Sequence, residues 1–375
     1  RRDLLRTAIM GASSLVSVAH DGSSEEDPSD MTFRAYQVVP DATVALNPSL
    51  LVTSKQRLLT SATRTKRGGV LWLGEHHNSK DDHLVQEDII RSIHKSLVGQ
   101  GETPLLSIGL EQVQVRFQSV LEDYLVGKIK LEKLRELVEW DTRWQWSFDG
   151  YAPLFKTAKD LGIQLVALNV DSEDLAKVEK NGLPGLSRTE LSQYIPDPNG
   201  FAEFTKPKQF SVYVDYVIRP SYDMHRAMGL LKYTISGQEL DTEMPFRNFF
   251  SGRILWDEAM ASRAYQWTLE NPGGLMIGLV GADHVKFRDG IPGRYARFAG
   301  DSRDCTSVIL NPTLIDTRPS GTVSSIPNSD SAQNPDQITL QLRYVKDGVD
   351  LSSPERFLPS STGGVLPLAD YIVIS

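Results

Sequence analysis

The sequence predicts an α/β fold in which a mostly parallel sheet carries helices on both faces. Short, continuously apolar runs recur along the chain, and amphipathic stretches of helical length separate them. This alternation is typical of β-α-β units, whose right-handed crossovers place helices on both sides of the sheet. Histidines and carboxylates follow the apolar runs directly, which predicts a functional edge where the strands end.

Apolar runs bounded by glycine or polar residues predict strands that are covered on both faces. The predicted strands are 70–73, 105–110, 164–170, 275–280 and 305–310. The stretches between them predict helices, and in the clearest one Val85, Ile89 and Ile93 recur every four residues before Gly99. The predicted helices are 54–66, 84–97, 120–140, 151–161 and 250–269.

Residues 31–312 are expected to form one α/β domain. Within it, 182–245 is rich in Pro, Tyr and Lys, and we expect a helical or irregular insert that covers the site. Residues 313–375 are expected to begin as a flexible Ser- and Pro-rich connector and to end in strands. Because apolar and polar residues alternate in 338–345 as in a strand, we expect this tail to fold back and pair at the edge of the sheet.

Residues 1–30 allow two interpretations. Arg1 and Arg2, followed by a small-residue apolar stretch up to Ala19, resemble a thylakoid-transfer signal. That interpretation predicts a chloroplast protein, in the stroma or at the thylakoid lumen. A Ser-, Ala- and Arg-rich leader without regular structure fits the same composition, so both interpretations stay open.

Composition excludes several classes of protein. The formal net charge of -8 argues against a nucleic-acid partner, because a phosphate backbone requires a basic face. Cys305 is the only cysteine, which rules out an intrachain disulfide and a cysteine-cluster metal site. We find no apolar run long enough for a transmembrane helix.

Polar residues follow four of the predicted strands. They are Glu75, His76, His77 and His83 after the first strand, Glu111 and Gln112 after the second, Asn169 and Asp171 after the third, and Asp283 and His284 after the fourth. The carboxyl ends of parallel strands share one edge of a sheet, so we expect His77, Glu111, Asn169 and His284 to become neighbours there. Any one of these residues alone would also fit an ordinary polar loop that caps the next helix.

Imidazole nitrogens and carboxylate oxygens can do two things together. They are ligands for a divalent metal ion, which predicts a metal site of His77, Glu111 and His284. They can also act as a base with its orienting partner, which makes Glu75, His77, Glu111 and His284 the candidate catalytic residues of a hydrolase.

These residues also carry a resemblance to a known family. The segment Leu73–His77, with His83 and Gln86 after it, is similar to the opening motif of the ChaN-like haem-binding family. The later motifs follow in the same order and span about 54–312: Gly109-Leu110-Glu111, Trp140 and Trp144 before Tyr151, Trp256-Asp257-Glu258, Gly281-Ala282-Asp283-His284 and Pro292.

The resemblance implies a haem-binding protein in a superfamily that also contains Tiki-type metalloproteases, TraB proteins and erythromycin esterases. Its shared residues match Gly74 with His77, Gly281 with His284, and Glu111. This chain has Asp283 where the family usually has a small residue before the last histidine, which leaves the chemistry at that corner open.

A haem ligand is expected in the insert, where Ser221–His225 contains tyrosine, methionine and histidine in one short segment. Arg226 is expected to meet a propionate. Packing of Tyr222 and Met224 in the core is the simpler alternative. The candidate cofactor-binding residues are His77, His83, Tyr222, His225, Arg226 and His284.

Three functions follow as hypotheses. The first is haem or tetrapyrrole handling or transport in the chloroplast, with haem as the partner and a homodimer as an option. The second is a metal-dependent hydrolase that uses His77, Glu111 and His284 with a divalent ion or an activated water. The third is a scaffold without catalysis, so the sequence leaves open whether the protein is an enzyme.

Overall fold

The computed structural model describes residues 33–39, 49–53, 55–63, 68–99, 105–300, 305–313, 316, 341–345 and 363–375. The predicted leader 1–30 lies outside this part of the chain, and so does nearly all of the predicted connector.

The structure confirms the α/β fold. Its main sheet has eight strands in the order β2-β1-β10-β7-β3-β6-β4-β5. Neighbours from β10 to β5 run parallel, whereas β1 pairs antiparallel with both β2 and β10. The strands are β1 Arg34–Val39, β2 Ser49–Thr53, β3 Gly69–Glu75, β4 Leu106–Gln114, β5 Gln164–Asn169, β6 Leu275–Gly281, β7 Cys305–Leu310 and β10 Tyr371–Ile374.

Helices cover both faces of the sheet and produce two cores. Along β3, the side chains of Val70 and Trp72 join one core, and those of Leu71 and Leu73 join the other, because successive residues of a strand face opposite sides. The helices are α1 Lys55–Thr63, α2 Lys80–Gly99, α3 Gln118–Leu125, α4 Leu131–Leu137, α5 Trp140–Arg143, α6 Phe148–Leu161, α7 Ser172–Asn181, α8 Arg188–Tyr194, α9 Pro198–Phe204, α10 Lys208–Tyr213, α11 Arg219–Ala227, α12 Phe246–Glu270 and α13 Ile291–Ala299.

One predicted helix is wrong. The stretch 120–140 is divided among α3, α4 and α5 rather than forming one helix. Gly127 and Glu139 both have positive φ, at 79° and 52°, and that backbone conformation ends a right-handed helix.

The insert and the tail differ from the expectations in detail. The stretch 182–245 is largely helical, from α8 to α11, with a π-helical turn at Val214–Ile218. In the tail, β8 Gln341–Val345 pairs with β9 Gly363–Pro367 in a separate two-stranded sheet, so it does not join the main sheet. The tail strand that does join is β10, which lies inside the main sheet between β1 and β7. Among the described residues, no helix has the length and apolarity needed to cross a membrane.

Candidate functional site

The end of β3 supplies the first imidazole of the site. Glu75 is the last residue of β3, and its Oε1 accepts a hydrogen bond of 2.8 Å from Nδ1 of His77 two residues later. The His77 ring packs against Trp144 and Trp146, with ring centroids at 4.9 and 4.4 Å. Its side chain keeps 17 % of its surface exposed, so this imidazole is accessible from solvent.

Glu75 is buried, and three other side chains also donate hydrogen bonds to its carboxylate. Gln86 Nε2 donates to Oε2 at 2.7 Å, and the Tyr151 hydroxyl and Gln112 Nε2 donate to Oε1 at 2.5 and 3.2 Å. Burial alone would raise the pKa of Glu75, but the hydrogen bonds and charges of His77 and His83 outweigh it and lower the pKa. Glu75 is therefore a carboxylate, and it holds the proton of His77 on Nδ1.

Glu111 stands at the centre of the site. It lies within β4 and is buried, and the backbone N–H of Gly281 donates to its Oε2 at 2.6 Å. Its Oε1 is 3.3 Å from Nε2 of His284 and 3.9 Å from Nε2 of His77. Burial raises the pKa of Glu111, but the charges of the two imidazoles and the Gly281 N–H lower it overall. One carboxylate thus faces both imidazoles.

The second imidazole is held from a distant helix. Nδ1 of His284 is 2.5 Å from Oδ1 of Asp257, which lies in α12, and the hydroxyl of Tyr213 donates to Oδ2 of Asp257 at 2.8 Å. Burial and the charge of Arg253 lower the pKa of His284, but the charges of Glu111 and Asp257 outweigh them and raise it. We conclude that His284 binds a proton more readily than an ordinary histidine.

Two glycines allow these loops to meet. A Cβ on Gly281 would lie 2.8 Å from Nε2 of His77, and a Cβ on Gly74 would lie 3.0 Å from Cα of Ala282 and closer still to Val285. Each loop therefore packs against the glycine of the other. The two Gly-x-x-His segments need glycine because any side chain there would push the imidazoles apart.

The two halves of the site are chemically equivalent. In each, a buried carboxylate accepts the Nδ1 proton, so Nε2 is the nitrogen that faces Glu111. In such a set, one imidazole can accept a proton while the other donates one, with the carboxylate orienting both. The distances of 3.9 and 3.3 Å from Oε1 of Glu111 to His77 and His284 show that these three residues are neighbours, as predicted.

The set does not fit a metal ion as arranged. Among the residues that the structure describes, no group of three or more His, Cys, Asp or Glu side chains could hold a metal. Nε2 of His284 and Oε1 of Glu111 are 3.3 Å apart, so these two donors contact each other directly. The predicted metal role of His77, Glu111 and His284 stays a prediction.

The remaining predicted residues of the sheet edge have supporting or separate places. His83 is buried, with its ring 4.1 Å from that of Tyr151 and Nε2 3.8 Å from Oε1 of Glu75. Asn169 donates to the carbonyl of Glu111 at 2.6 Å, which supports the strand that carries it. Asp171 instead pairs with Arg116 at 3.0 Å.

His76 points away from His77 into its own ionic network. Its Nδ1 and Nε2 lie 3.0 and 3.1 Å from Asp82 and Asp316. Lys286 joins Asp316 at 2.9 Å and Asp283 at 2.6 Å. The extra carboxylate of this chain, Asp283, is thus engaged by Lys286 rather than by His284.

The haem-ligand candidates of the insert lie in a separate small cluster. The Tyr222 hydroxyl donates to the carbonyl of Met244 at 3.0 Å, and its ring packs against Phe246 and Phe249. His225 is half-buried, and its Nδ1 is 2.7 Å from the carbonyl of Ser221. Arg226 is exposed, over the Tyr222 ring. As arranged, Tyr222 does not present its oxygen to a ligand.

Sequence reasoning missed three functional contacts. Asp257 was part of a recognised motif but was not assigned to the site, and Tyr151 and Tyr213 were not assigned either. Asp257 could have been found from the motif Trp256-Asp257-Glu258, a carboxylate in the middle of a largely apolar stretch, since a buried charge needs a partner. Tyr213 carries no such signal, because tyrosine is common in cores.

The fold and the site define an α/β protein with two Gly-x-x-His loops that meet on one glutamate. The family described as "Haem-binding uptake, Tiki superfamily, ChaN" matches residues 61–294, and the chain belongs to this family. The chain is also 25 % identical over 270 residues to "Protein RETICULATA-RELATED 5, chloroplastic" of Arabidopsis thaliana, which covers 68 % of the chain. It spans 33 % of the length of that relative.

Two solved structures were matched to this chain. ChaN of Campylobacter jejuni, solved with cofacial haem, is matched with a TM-score of 0.50 over 76 % of this chain and 95 % of that one, at 14 % identity. This likeness shows the fold. A mutant of the erythromycin esterase EreC in its open conformation is matched over 92 % of this chain and 97 % of that one, with a TM-score of 0.41 and 15 % identity. That score is too low to support an inference.

Proposed function

We propose that this site is a general acid–base centre that activates water to hydrolyse an ester bond. One observation carries the proposal: Nε2 of His77 and Nε2 of His284 both face Oε1 of Glu111, and each imidazole is held at Nδ1 by its own carboxylate. Buried titratable groups that converge at the end of a sheet are the arrangement that general acid–base catalysis uses.

The two imidazoles take different roles in this proposal. His77 has the greater exposure, so its Nε2 accepts the proton of the attacking water. The water oxygen bonds to the carbonyl carbon, and the bond from that carbon to the leaving oxygen breaks. His284, whose pKa is raised, donates its Nε2 proton to the leaving oxygen. Glu111 keeps both rings oriented throughout. After the products leave, His77 releases its added proton to solvent and His284 takes one up, which restores the starting state.

The test is hydrolysis of p-nitrophenyl acetate by the purified chain, by His77→Ala and by His284→Ala. We expect turnover by the wild type and a loss of about 10²-fold or more in both variants, the usual range for a general acid or base. His94→Ala, at a half-buried histidine of α2 that is not part of the site, is the matched control and should keep full activity. Equal rates in all four proteins would refute the proposal.

The same assay separates the metal-dependent form of the hydrolase. Activity that survives EDTA and is unchanged by added Mn²⁺ or Zn²⁺ supports acid–base chemistry by the side chains alone. Activity that disappears with EDTA and returns with one of these ions supports the metal ligands predicted from the sequence.

Haem binding is the second candidate, and membership of a family described by haem-binding uptake favours it. Tyr222 does not fit a haem ligand as arranged, because its hydroxyl is hydrogen-bonded to the carbonyl of Met244. The proposal therefore stands on the comparisons. Titration with hemin is its test: a saturable Soret shift that His225→Ala or Tyr222→Phe weakens supports it, and no shift removes it. Sedimentation with and without hemin tests the predicted homodimer.

A chloroplast location is proposed on two grounds. The leader resembles a thylakoid-transfer signal, and the relative from Arabidopsis thaliana carries the word chloroplastic in its name. Immunodetection of the native protein in isolated, protease-treated chloroplasts is the test, and its absence from them would contradict the location.

A further inference from the structure

We propose that Tyr213 and Asp257 are positioning residues for His284, so that the 182–245 insert sets the orientation of this imidazole through the Tyr213 hydroxyl. The inference rests on the proposed function only for its effect on catalysis. The positioning itself is a property of the folded chain and can be measured without a substrate.

Asp257 uses each of its oxygens for one partner. Oδ1 is 2.5 Å from Nδ1 of His284, and Oδ2 accepts from the Tyr213 hydroxyl at 2.8 Å. Asp257 and Tyr213 are both fully buried, and His284 is 3 % exposed. Because the two oxygens are occupied from opposite ends, the carboxylate plane cannot rotate without breaking one of the two bonds.

Tyr213 contacts the His284 loop at a second point. Its hydroxyl oxygen is 3.3 Å from the carbonyl oxygen of Asp283, the residue before His284. A Cβ on Gly290 would lie 3.0 Å from this hydroxyl oxygen and 2.2 Å from the carbonyl oxygen of His284, so glycine is required there. One hydroxyl from the insert therefore touches the backbone beside the imidazole and the carboxylate that holds the imidazole.

Tyr213 lies within the 182–245 insert, so its contact with Asp257 links the insert to the site. It is the last residue of α10 and is followed at once by the π-helical turn Val214–Ile218. A π-helical turn within a helix is uncommon, and such turns occur often at functional sites. Tyr213 contacts Asp257 just before the turn, and Tyr216 within the turn packs against Phe287.

Asp257 determines which nitrogen of His284 exchanges its proton. A carboxylate only accepts, so one proton always stays on Nδ1, and Nε2, which faces Glu111, is the nitrogen that binds and releases the second proton. In Asp257→Asn the side chain can donate its amide N–H to Nδ1, which moves the proton to the other nitrogen. The corresponding change in a Ser-His-Asp triad leaves the geometry intact and lowers kcat about 10⁴-fold.

The test is ¹⁵N NMR of the imidazoles in the full chain labelled at histidine. The proteins compared are the wild type, Tyr213→Phe and Asp257→Asn, and His284→Gln assigns the His284 signals. Tyr222→Phe is the matched control, because it removes a buried hydroxyl of the same insert that donates to Met244 instead. Thermal unfolding of each protein checks that it is folded.

We expect Asp257→Asn to exchange the Nδ1 and Nε2 environments of His284, and Tyr213→Phe to shift both signals while Tyr222→Phe leaves them in place. In the esterase assay we expect a loss in kcat of about 10³–10⁴-fold for Asp257→Asn and of about 10-fold for Tyr213→Phe, with KM little changed.

His284 signals that are the same in Tyr213→Phe and Tyr222→Phe would overturn the role of the insert. If Tyr213→Phe does not fold, unchanged His284 signals in Asp257→Asn would overturn the positioning role by themselves. Moved signals in a wild type that hydrolyses no ester would sink the proposed function and leave the positioning intact.

Discussion

The two imidazole loops of the site reach the same geometry by different routes. In the β3 loop, the carboxylate that holds His77 is Glu75, two residues earlier in the chain. In the β6 loop, the carboxylate that holds His284 is Asp257, which comes from α12 and depends on Tyr213. His77 keeps 17 % of its side chain exposed and His284 only 3 %.

This difference separates a self-contained loop from a dependent one. Glu75 has three further donors, from Gln86, Gln112 and Tyr151, so it stays satisfied without His77. Asp257, by contrast, has two partners, His284 and Tyr213, and loses half of its contacts when either is removed. We infer that the β3 loop tolerates change better, and that the β6 loop transmits changes in the surrounding helices to the site.

The largest effect is expected from the carboxylate that both loops share. Glu111→Gln keeps the shape but removes the negative charge that faces both Nε2 atoms, so we expect the esterase kcat/KM to fall about 10²–10⁴-fold. Steady-state kinetics measure this. Gln114→Glu is the control: it adds a carboxylate at the end of β4, away from the two imidazoles, and so tests whether a change of charge in this strand is enough to alter activity. Activity within about threefold of wild type in Glu111→Gln would show that the two loops do not work through Glu111.

A stability difference between the two histidines comes next. His284→Ala removes the imidazole that contacts Asp257 and the nearer of the two that face Glu111, so two buried carboxylates each lose a charged partner, which costs about 3–5 kcal/mol of unfolding free energy. His77→Ala leaves Glu75 with its three other donors, so we expect a loss of about 1–2 kcal/mol. Urea unfolding of the two variants gives both values. Equal losses would contradict the division into a self-contained and a dependent loop.

A methyl group at the contact between the loops should have a smaller effect. In Gly281→Ala the new Cβ would lie 2.8 Å from Nε2 of His77, so we expect a destabilisation of about 1–3 kcal/mol with a loss of activity. Gly99→Ala is the control, because a Cβ there meets nothing within 4 Å and helix propensity favours alanine. If the two variants unfold at the same urea concentration, the close approach of the loops is wrong.

The smallest effect concerns His76, which adjoins His77 but serves the neighbouring network. Burial lowers its pKa, but the hydrogen bonds with Asp316 and Asp82 outweigh this and raise the pKa from 6.5 to about 10. Its contribution to stability is therefore full below about pH 6.5 and is lost as the pH rises through 10. We expect the unfolding temperature to fall more between pH 7 and 10 in the wild type than in His76→Gln, with His94→Gln as the control. Parallel curves for the wild type and His76→Gln would exclude this role.

The sequence alone predicted the strands and helices that depend on local patterns of apolar residues. The continuous apolar runs predicted β3, β4, β5, β6 and β7, since strands buried on both faces must be apolar throughout. The helix expected over 120–140 was wrong, because positive φ at Glu139 is not visible in a pattern of apolar residues. The insertion of β10 beside β7 was likewise beyond reach, since pairing of strands far apart in the chain leaves little trace in either strand.

By itself the sequence predicted that His77, Glu111 and His284 share one edge of the sheet, because parallel strands end together. In the structure β4 continues past the predicted end at 110, so Glu111 lies within β4, just beyond its last residue paired with β6. Only the tertiary structure decided how each imidazole is held. Glu75 holds His77 from within the same loop, but Asp257 and Tyr213 reach His284 from two other helices. Such contacts depend on how helices pack on the sheet, and packing is set by the summed shapes of many side chains rather than by any spacing along the chain.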